Sequence, residues 1–353
     1  MSERSLGIKI AKTFGEKIIK VLSKLELLNR KLKIKHEEDY LIIPIVREPN
    51  LNEVKEIKRL VQNFSLIECD FEVLIHKKTI IDFLKDVLPH NLLNLVPRSM
   101  DLIGDIAIIE LPEELEKYGK AIGEAIMHVH RNIRLVLAKI GPVSGEYRIR
   151  SFKVLAGSGG TETMHKEHGC IYYLDVTKVY FSPRLSYERW RVANQVSEGE
   201  IVIDMFAGVG PFSILIAKMH KNVKVYAIDI NPEAIKYLKI NIKANKVERK
   251  VFPIHGDAAE VIRKKLIGVG DRVIMNLPEK ALEYIDAACK ALKDEEGVIH
   301  YYEFSSESLN ETSKRVISAI EKSGRRVLRV LQVRRVKAVA PYKWQVAVDV
   351  LVK

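Results

Sequence analysis

The chain has 353 residues, 47% of them hydrophobic, and 58 lysines and arginines against 46 acids give a net charge of +12. That length exceeds one ordinary domain and predicts two or three, with enough apolar residues for sizeable cores. The three cysteines, Cys69, Cys170 and Cys289, form no C-x-x-C pair, which excludes a disulfide framework and a cysteine zinc site. No apolar run approaches a membrane span, and the N-terminus lacks the apolar core of a signal peptide, so a cytoplasmic protein without membrane contact is expected. The positive excess is clustered, with ten basic against three acidic residues in 1–35 and ten against two in 311–343. A lysine-rich solvated face would give the same total, but clustering favours a polyanionic partner.

In chain order, residues Ile10, Phe14, Ile18, Val21, Leu22, Leu25 and Leu28 recur at three-and-four spacing, which predicts an amphipathic helix. Its opposite face carries Lys9, Lys12 and Lys17, with Lys20 and Lys24 beyond. A strand at Tyr40 to Val46, a helix around Val54 to Gln62 and a strand near Phe71 to Ile75 complete a small α+β domain over 1–76. Residues 77–97, broken by Pro89 and Pro97, read as a helical linker. A middle α+β domain over 98–174 follows, with a strand at Leu102 to Leu111, a charged helix from Glu113 to Arg131 and further strands through Tyr173.

From residue 175 to 353 short apolar strands alternate with helical segments, which implies a mostly parallel, doubly wound α/β sheet. The strands fall at Ile201 to Met205, Lys224 to Ile228, Val251 to Ile254, Arg272 to Met275 and Val298 to Tyr302, and Val327 to Val333 and Trp344 to Val352 close the chain as an antiparallel edge. After the first of these strands come Asp204, Phe206, Gly208 and Gly210 at alternate positions, and Asp229 ends the second. Glycines let the backbone approach a ligand, and an acid at the second strand's carboxyl end can hold a ribose diol. The spacing matches neither G-x-G-x-x-G nor a phosphate loop, so a pyrophosphate is not the obvious guest.

The pattern D-x-F-x-G-x-G with a later acid resembles the S-adenosylmethionine site of class I methyltransferases. On that resemblance Asp257, after the third strand, reaches the adenine amino group. The tetrad Asn276-Leu277-Pro278-Glu279 after the fourth strand resembles the Asn-Pro-Pro-Tyr motif of enzymes that methylate base nitrogens. Asn276 offers both donor and acceptor, and Pro278 makes a rigid turn expected to leave its neighbours' carbonyls free.

Three further segments precede the sheet: GEYRIRSF at 145–152, TMHKEHG at 163–169 and VYFSPRLSYERWRVA at 179–193. With DMFAGVGPF, YAIDIN, NLP, GVIHYY and the terminal AP-Y-K-W-Q-V-A-V-D strand, this order resembles the archaeal and eukaryotic tRNA (guanine-37, N1) methyltransferases over nearly the whole chain. The resemblance implies S-adenosylmethionine as cofactor, tRNA as partner, Glu188 as general base and Arg148 as the group that stabilises the reacting base. It also implies that the N-terminal domain grips the outer corner of the tRNA.

Guanine N1 is a poor nucleophile until its proton leaves, and losing that proton builds negative charge on O6, so a carboxylate and a guanidinium are the chemistry required. Tyr180, Phe181 and Arg184 lie close enough in sequence to Glu188 to line a pocket for the flipped base, although core packing explains the two aromatics equally well. His165 and His168 are read as structural or RNA-contacting. A monomer is expected and no metal ligand cluster is seen. Methylation of a wyosine precursor at the same tRNA position, methylation of guanine N2, and a non-catalytic tRNA-binding protein are the alternatives.

Overall fold

The computed structural model describes residues 2–74, 78–144 and 149–353, in two compact units, Met1–Lys78 and Thr79–Lys353. In the first unit β1 (Ser2–Ala11), α1 (Gly15–Lys24), β2 (Lys35–His36), β3 (Tyr40–Pro44), α2 (Leu51–Lys58) and β4 (Ser65–Glu72) form an antiparallel sheet of order β2-β3-β1-β4 with two helices. The helix expected from residue 10 starts only at Gly15. Ile8 and Ile10 are buried on either side of Lys9, and β1 pairs with β3 and β4 on its two edges, so a period of two prevails over the three-and-four spacing. Lys9 therefore stands on a strand and Lys12 in the turn after it, leaving Lys17 on α1.

The second unit opens with α3 (Ile80–Leu84), inside the stretch read as a linker. Leu84, Leu88 and Val96 are buried with Ile109, Leu115, Ile122 and Ile126 in one core. Leu84 and Leu88, four apart, lie on one helical face, and burying that face turns an apparent spacer into packed structure.

A mixed sheet follows, of order β5 (Asp101–Ile103), β6 (Ile106–Ile109), β7 (Leu135–Ser144) and β8 (Ile149–Gly157), with α4 (Gly119–Val129) crossing between the parallel pair β6 and β7. The single strand expected at Leu102 to Leu111 is a hairpin, because Gly104 takes a φ of 57° and reverses the chain. One face of this sheet is not a separate core. Ile103, Ile106, Ile108, Leu135 and Leu137 pack in the same cluster as Tyr172, Val202 and Phe212.

The hairpin β9 (Glu162–Glu167) and β10 (Cys170–Asp175) leads to α5 (Ser186–Ala193). Then come β11 (Ile201–Asp204), α6 (Pro211–Met219), β12 (Lys224–Asp229), α7 (Pro232–Ala244), β13 (Val251–His255), α8 (Ala258–Val261), β14 (Arg272–Met275), α9 (Ile285–Ala291), β15 (Gly297–Ser305), α10 (Leu309–Lys322), β16 (Val327–Ala340) and β17 (Lys343–Val352). The seven-stranded sheet has the order β13-β12-β11-β14-β15-β17-β16, parallel except where β17 runs antiparallel to β15 and β16. This is the doubly wound class I methyltransferase sheet expected from the alternation of elements.

The asparagines of α7 tie β10 to this layer. Asn241 Oδ1 accepts from the Tyr173 N–H at 2.7 Å and Asn245 Oδ1 from the Ile171 N–H at 2.9 Å, and their amides donate back to the carbonyls of the same two residues. Backbone groups of β10 are thereby satisfied by side chains. Among the described residues no helix is long and apolar enough to cross a membrane.

Candidate active site

The strand order reverses between β11 and β14, and a cavity of about 170 Å³ opens at their carboxyl ends, where doubly wound sheets bind ligands. Phe206, Gly208, Asp229, Asp257 and Asn276 line it, with Asn231 and Tyr284. Asp229 organises the loop. Its Oδ2 accepts the Gly208 N–H at 2.7 Å and its Oδ1 the Asn231 N–H at 2.9 Å. An ionised carboxylate has room for about four hydrogen bonds, so two remain for a diol. Burial pushes the Asp229 carboxyl up, and the N–H groups of Asn231 and Gly208 pull against that.

Gly208, at a φ of 56°, leaves a cradle. A Cβ built there would meet only the Tyr180 carbonyl oxygen, at 3.8 Å. Asp257 caps α8 through Oδ1 and accepts the Tyr284 hydroxyl on Oδ2 at 2.9 Å, and the Tyr284 ring stands edge-on to Phe206 at 5.0 Å. A carboxylate at one end and two aromatic rings near a second carboxylate suit a ribose and a purine.

Asp204 and Gly210 do not line the cavity. Asp204 is fully buried, with Oδ2 accepting the Ser213 hydroxyl at 2.7 Å, and burial pushes its carboxyl up to about 7. It is no surface for a cationic ligand. Gly210 caps α6 at a φ of 88°, where a Cβ would lie 2.4 Å from Leu238 Cδ1, so it serves packing.

The tetrad 276–279 is a closed turn. The Asn276 side-chain oxygen accepts from Gln345 Nε2 at 3.0 Å, while the Leu277 carbonyl accepts from the Lys280 N–H and that of Pro278 from the Phe304 N–H. The expectation of free carbonyls beside Pro278 thus fails for Leu277, because the turn is stitched to itself and to β15. The exposed end of the tetrad, Glu279, reaches the cavity wall.

A second cavity of about 480 Å³ adjoins, sharing Tyr180 and Glu279 with the first. Its walls carry a chain of charges. Arg184 Nε donates to Asp101 at 2.6 Å, and Lys139 Nζ lies 3.2 Å from Asp101 and 2.9 Å from Glu110. Arg150, Lys337 and Lys343 add positive charge. Arg189 holds the Tyr180–Ser182 segment from behind, pairing with Glu167 at 2.7 Å, donating to the Ser182 carbonyl and lying over the Phe181 ring. Phe181 is buried, and Tyr180 is 41% exposed at the junction of the cavities.

Glu188 lines neither cavity. It is 1% exposed on α5, and its carboxylate accepts from Arg191 Nη2 at 2.6 Å, Arg334 Nη1 at 2.7 Å and the Tyr302 hydroxyl at 2.8 Å. Arg191 also binds Asp349, which accepts from His300 Nδ1 at 2.8 Å. Burial would raise the Asp349 carboxyl, but the His300 and Arg191 contacts outweigh it and hold it well below the usual carboxylate range.

Residues 163–330 match the TRM5/TYW2 methyltransferase domain, 80–161 the TYW2 N-terminal domain and 7–52 the tRNA methyltransferase 5 N-terminal domain. The tRNA (guanine(37)-N(1))-methyltransferase Trm5b of Pyrococcus abyssi is 43% identical, with 98% of each chain covered. The chain belongs to the archaeal and eukaryotic tRNA (guanine-37, N1) methyltransferase family. The crystal structure of Trm5b from Pyrococcus abyssi superposes with a TM-score of 0.75 at 41% identity over 99% of each chain, and the complex of aTrm5 with tRNALeu with 0.70 at 37% over 99% and 100%. The tRNA 4-demethylwyosine(37)-methyltransferase Taw21 of Saccharolobus solfataricus is 38% identical over 72% of this chain and 93% of its own. S-adenosylmethionine is the cofactor of this family, and the acids and aromatic rings lining the smaller cavity are of the kind its ribose and adenine require.

Of the residues expected around the target base, Tyr180 lines both cavities and Arg184 the larger one, while Arg148 lies outside the described residues. His165 and His168 are tied to the Gly104 N–H and to Ser186 and line neither cavity, although the His165 ring packs edge-on against Phe181 at 5.1 Å. Lys9 pairs with Glu37 at 2.6 Å, Lys12 donates to the Glu38 carbonyl and Lys17 is exposed, all in the first unit. Lys337, Lys343 and Tyr284 were not found by sequence reasoning. The first two belong to the cluster of ten basic residues in 311–343, which was the available signal; for Tyr284 there was none.

Proposed function

We propose that this chain transfers the methyl group of S-adenosylmethionine to N1 of guanosine 37 in tRNA, acting as a monomer in the cytoplasm. The single observation that carries the reading is the junction at Tyr180 and Glu279, where a cavity suited to a nucleoside meets a larger one edged by cations. When bound, S-adenosylmethionine supplies an electrophilic methyl group on a sulfonium. Asp229 would hold its ribose, Asp257 its adenine amino group, Phe206 and Gly208 the surrounding wall, and Asn276 the boundary with the target base. Asp204 and Gly210 support that wall from behind.

Tyr180 and Arg184 would receive the flipped guanine, Pro278 keeps Asn276 rigid, and the Arg148 guanidinium offsets charge on O6. Lys9, Lys12 and Lys17 would contact phosphates through the first unit. Glu188 takes the N1 proton after tRNA binding releases it from one of its three donors, since catalytic hydrogen bonds often form only in the complex. Glu279 is a second candidate base, favoured by its place in both cavity walls.

Methyl incorporation into transcripts with G or A at position 37 tests the base assignment, and equal transfer to both overturns it. Glu188→Gln should keep S-adenosylmethionine affinity and lose about 10²- to 10⁴-fold in turnover. If Glu279→Gln alone shows that loss, the base is Glu279. The wyosine-precursor reading is favoured by the likeness to Taw21. Nucleoside mass spectrometry on tRNA carrying that precursor, beside tRNA carrying G37, separates the two substrates.

A further inference from the structure

Among the described residues, four other than glycine take a positive φ: Glu26, His168, Lys246 and Tyr342. Glu26 and Lys246 follow the caps of α1 and α7, where left-handed backbone ends a helix, and His168 shares the two-residue turn of the β9–β10 hairpin with Gly169, both at the positive φ such a turn requires. At Tyr342 a turn sets the φ as well, but not the choice of residue. This tyrosine sits at the tip of the β16–β17 hairpin, in a two-residue turn with Pro341, and Ala340 pairs with Lys343 below it. Proline followed by a residue at positive φ is the type II pattern, in which glycine or asparagine ordinarily takes the second place.

Here a tyrosine stands at a φ of 57° with 91% of its surface exposed. The conformation costs about 1 kcal/mol or more for a residue with a Cβ, and a ring so exposed recovers little of that by packing. Strain kept without a packing return points to function.

The location says which function. The strands that carry the tip also wall the 480 Å³ cavity, through Lys337, Ala338, Val339, Ala340 and Lys343. Lys337 reaches the Tyr180 hydroxyl at 3.3 Å, which joins this hairpin to the junction of the two cavities. An exposed aromatic ring at the tip of a hairpin whose strands carry two cations on a cavity wall is an arrangement suited to unpaired RNA, the ring stacking on a base and the cations meeting phosphates. Turning one base out of a loop also strips its neighbours of a stacking partner.

We propose that Tyr342 is a stacking platform for an unpaired nucleobase next to the target guanosine, held out by a turn that trades backbone strain for reach. The inference rests on the tRNA reading above. It adds a substrate contact at a residue to which the family resemblance assigned no role.

The test compares wild-type protein with Tyr342→Gly and Tyr342→Phe in three measurements: thermal melting, S-adenosylmethionine affinity, and KM and filter-binding Kd for an unmodified tRNA transcript with G37. Tyr342→Gly should melt no lower than wild type and bind S-adenosylmethionine equally, while its KM and Kd for tRNA rise about tenfold, the loss of one base–aromatic stack. Tyr342→Phe should stay within about twofold of wild type throughout, since the ring is kept.

Unchanged tRNA affinity in Tyr342→Gly overturns the proposal, and so does an equal loss in Tyr342→Phe, which would assign the contact to the hydroxyl. Melting of Tyr342→Gly below wild type overturns the strain argument. If wild-type protein places no methyl on G37, the functional reading fails, and the filter-binding comparison still decides the role of Tyr342.

Discussion

Gly208 and Gly210 stand two residues apart in one loop, both at positive φ, yet their surroundings differ. Gly208→Ala places a methyl group in open space at the cofactor cavity, and Gly210→Ala drives one into Leu238. Gly210→Ala should therefore cost about 2–4 kcal/mol in urea unfolding, from left-handed backbone plus overpacking. Gly208→Ala should cost about 1–2 kcal/mol and weaken S-adenosylmethionine binding, measured by calorimetry.

Asp204 gives a pH dependence. Its folded pKa of about 7 lies above the ordinary value of 3.8, so the folded state binds the extra proton between those limits. The group is no burden below the lower value, and its penalty grows as pH rises toward 7, at about 1.4 kcal/mol per pH unit. Asp204→Asn should remove that slope. Urea midpoints of the ligand-free protein between pH 4 and pH 8 would show wild type losing stability relative to the variant as pH rises.

The element that gathers most buried charge is the seam where α5 meets β15, β16 and β17. Glu188 and Arg191 come from the helix, His300 and Tyr302 from β15, Arg334 from β16 and Asp349 from β17. Arg272 Nη1 donates to His300 Nε2 at 2.8 Å, which leaves Nδ1 as the nitrogen that donates to Asp349. Removing one member of such a set leaves an uncompensated charge in a dry place. Asp349→Ala should cost about 3–5 kcal/mol, measured by denaturant unfolding, whereas breaking the exposed pair Lys20–Glu16 should leave the unfolding midpoint nearly unchanged. Because Arg191 then loses its second anchor, the same variant should lower turnover more than it alters S-adenosylmethionine affinity.

At the scale of the molecule, a net charge of +12 acts on a polyanion and hardly on a small zwitterion. Raising salt from 50 to 200 mM should weaken tRNA binding by about 10³-fold or more if six or more phosphates are neutralised, and leave S-adenosylmethionine affinity within about twofold. A flat salt response for tRNA would mean that the basic clusters do not meet the RNA. Deleting the unit Met1–Lys78, whose core of Ile8, Ile10, Ile18, Leu22 and Ile43 is its own, should preserve cofactor binding and raise the tRNA KM, read by single-turnover assays.

The succession of strands and helices, and the glycine loop with its acid after the second strand, could be read from sequence, because Ile201–Asp204, Gly208 and Asp229 interact with near neighbours in a β-α-β unit whose geometry is local. The motif order also carried the family. Tertiary structure decided whatever depended on distant partners. It moved Ile10 from a helix to a strand flanked by β3 and β4, packed Leu84 and Leu88 of the apparent linker into a core, and turned Asp204 inward to Ser213. It also surrounded Glu188 with Arg191, Tyr302 and Arg334, two of which lie more than a hundred residues away. Local spacing specifies which face a residue takes within its own element. What that face meets is set by chain crossings that no spacing records.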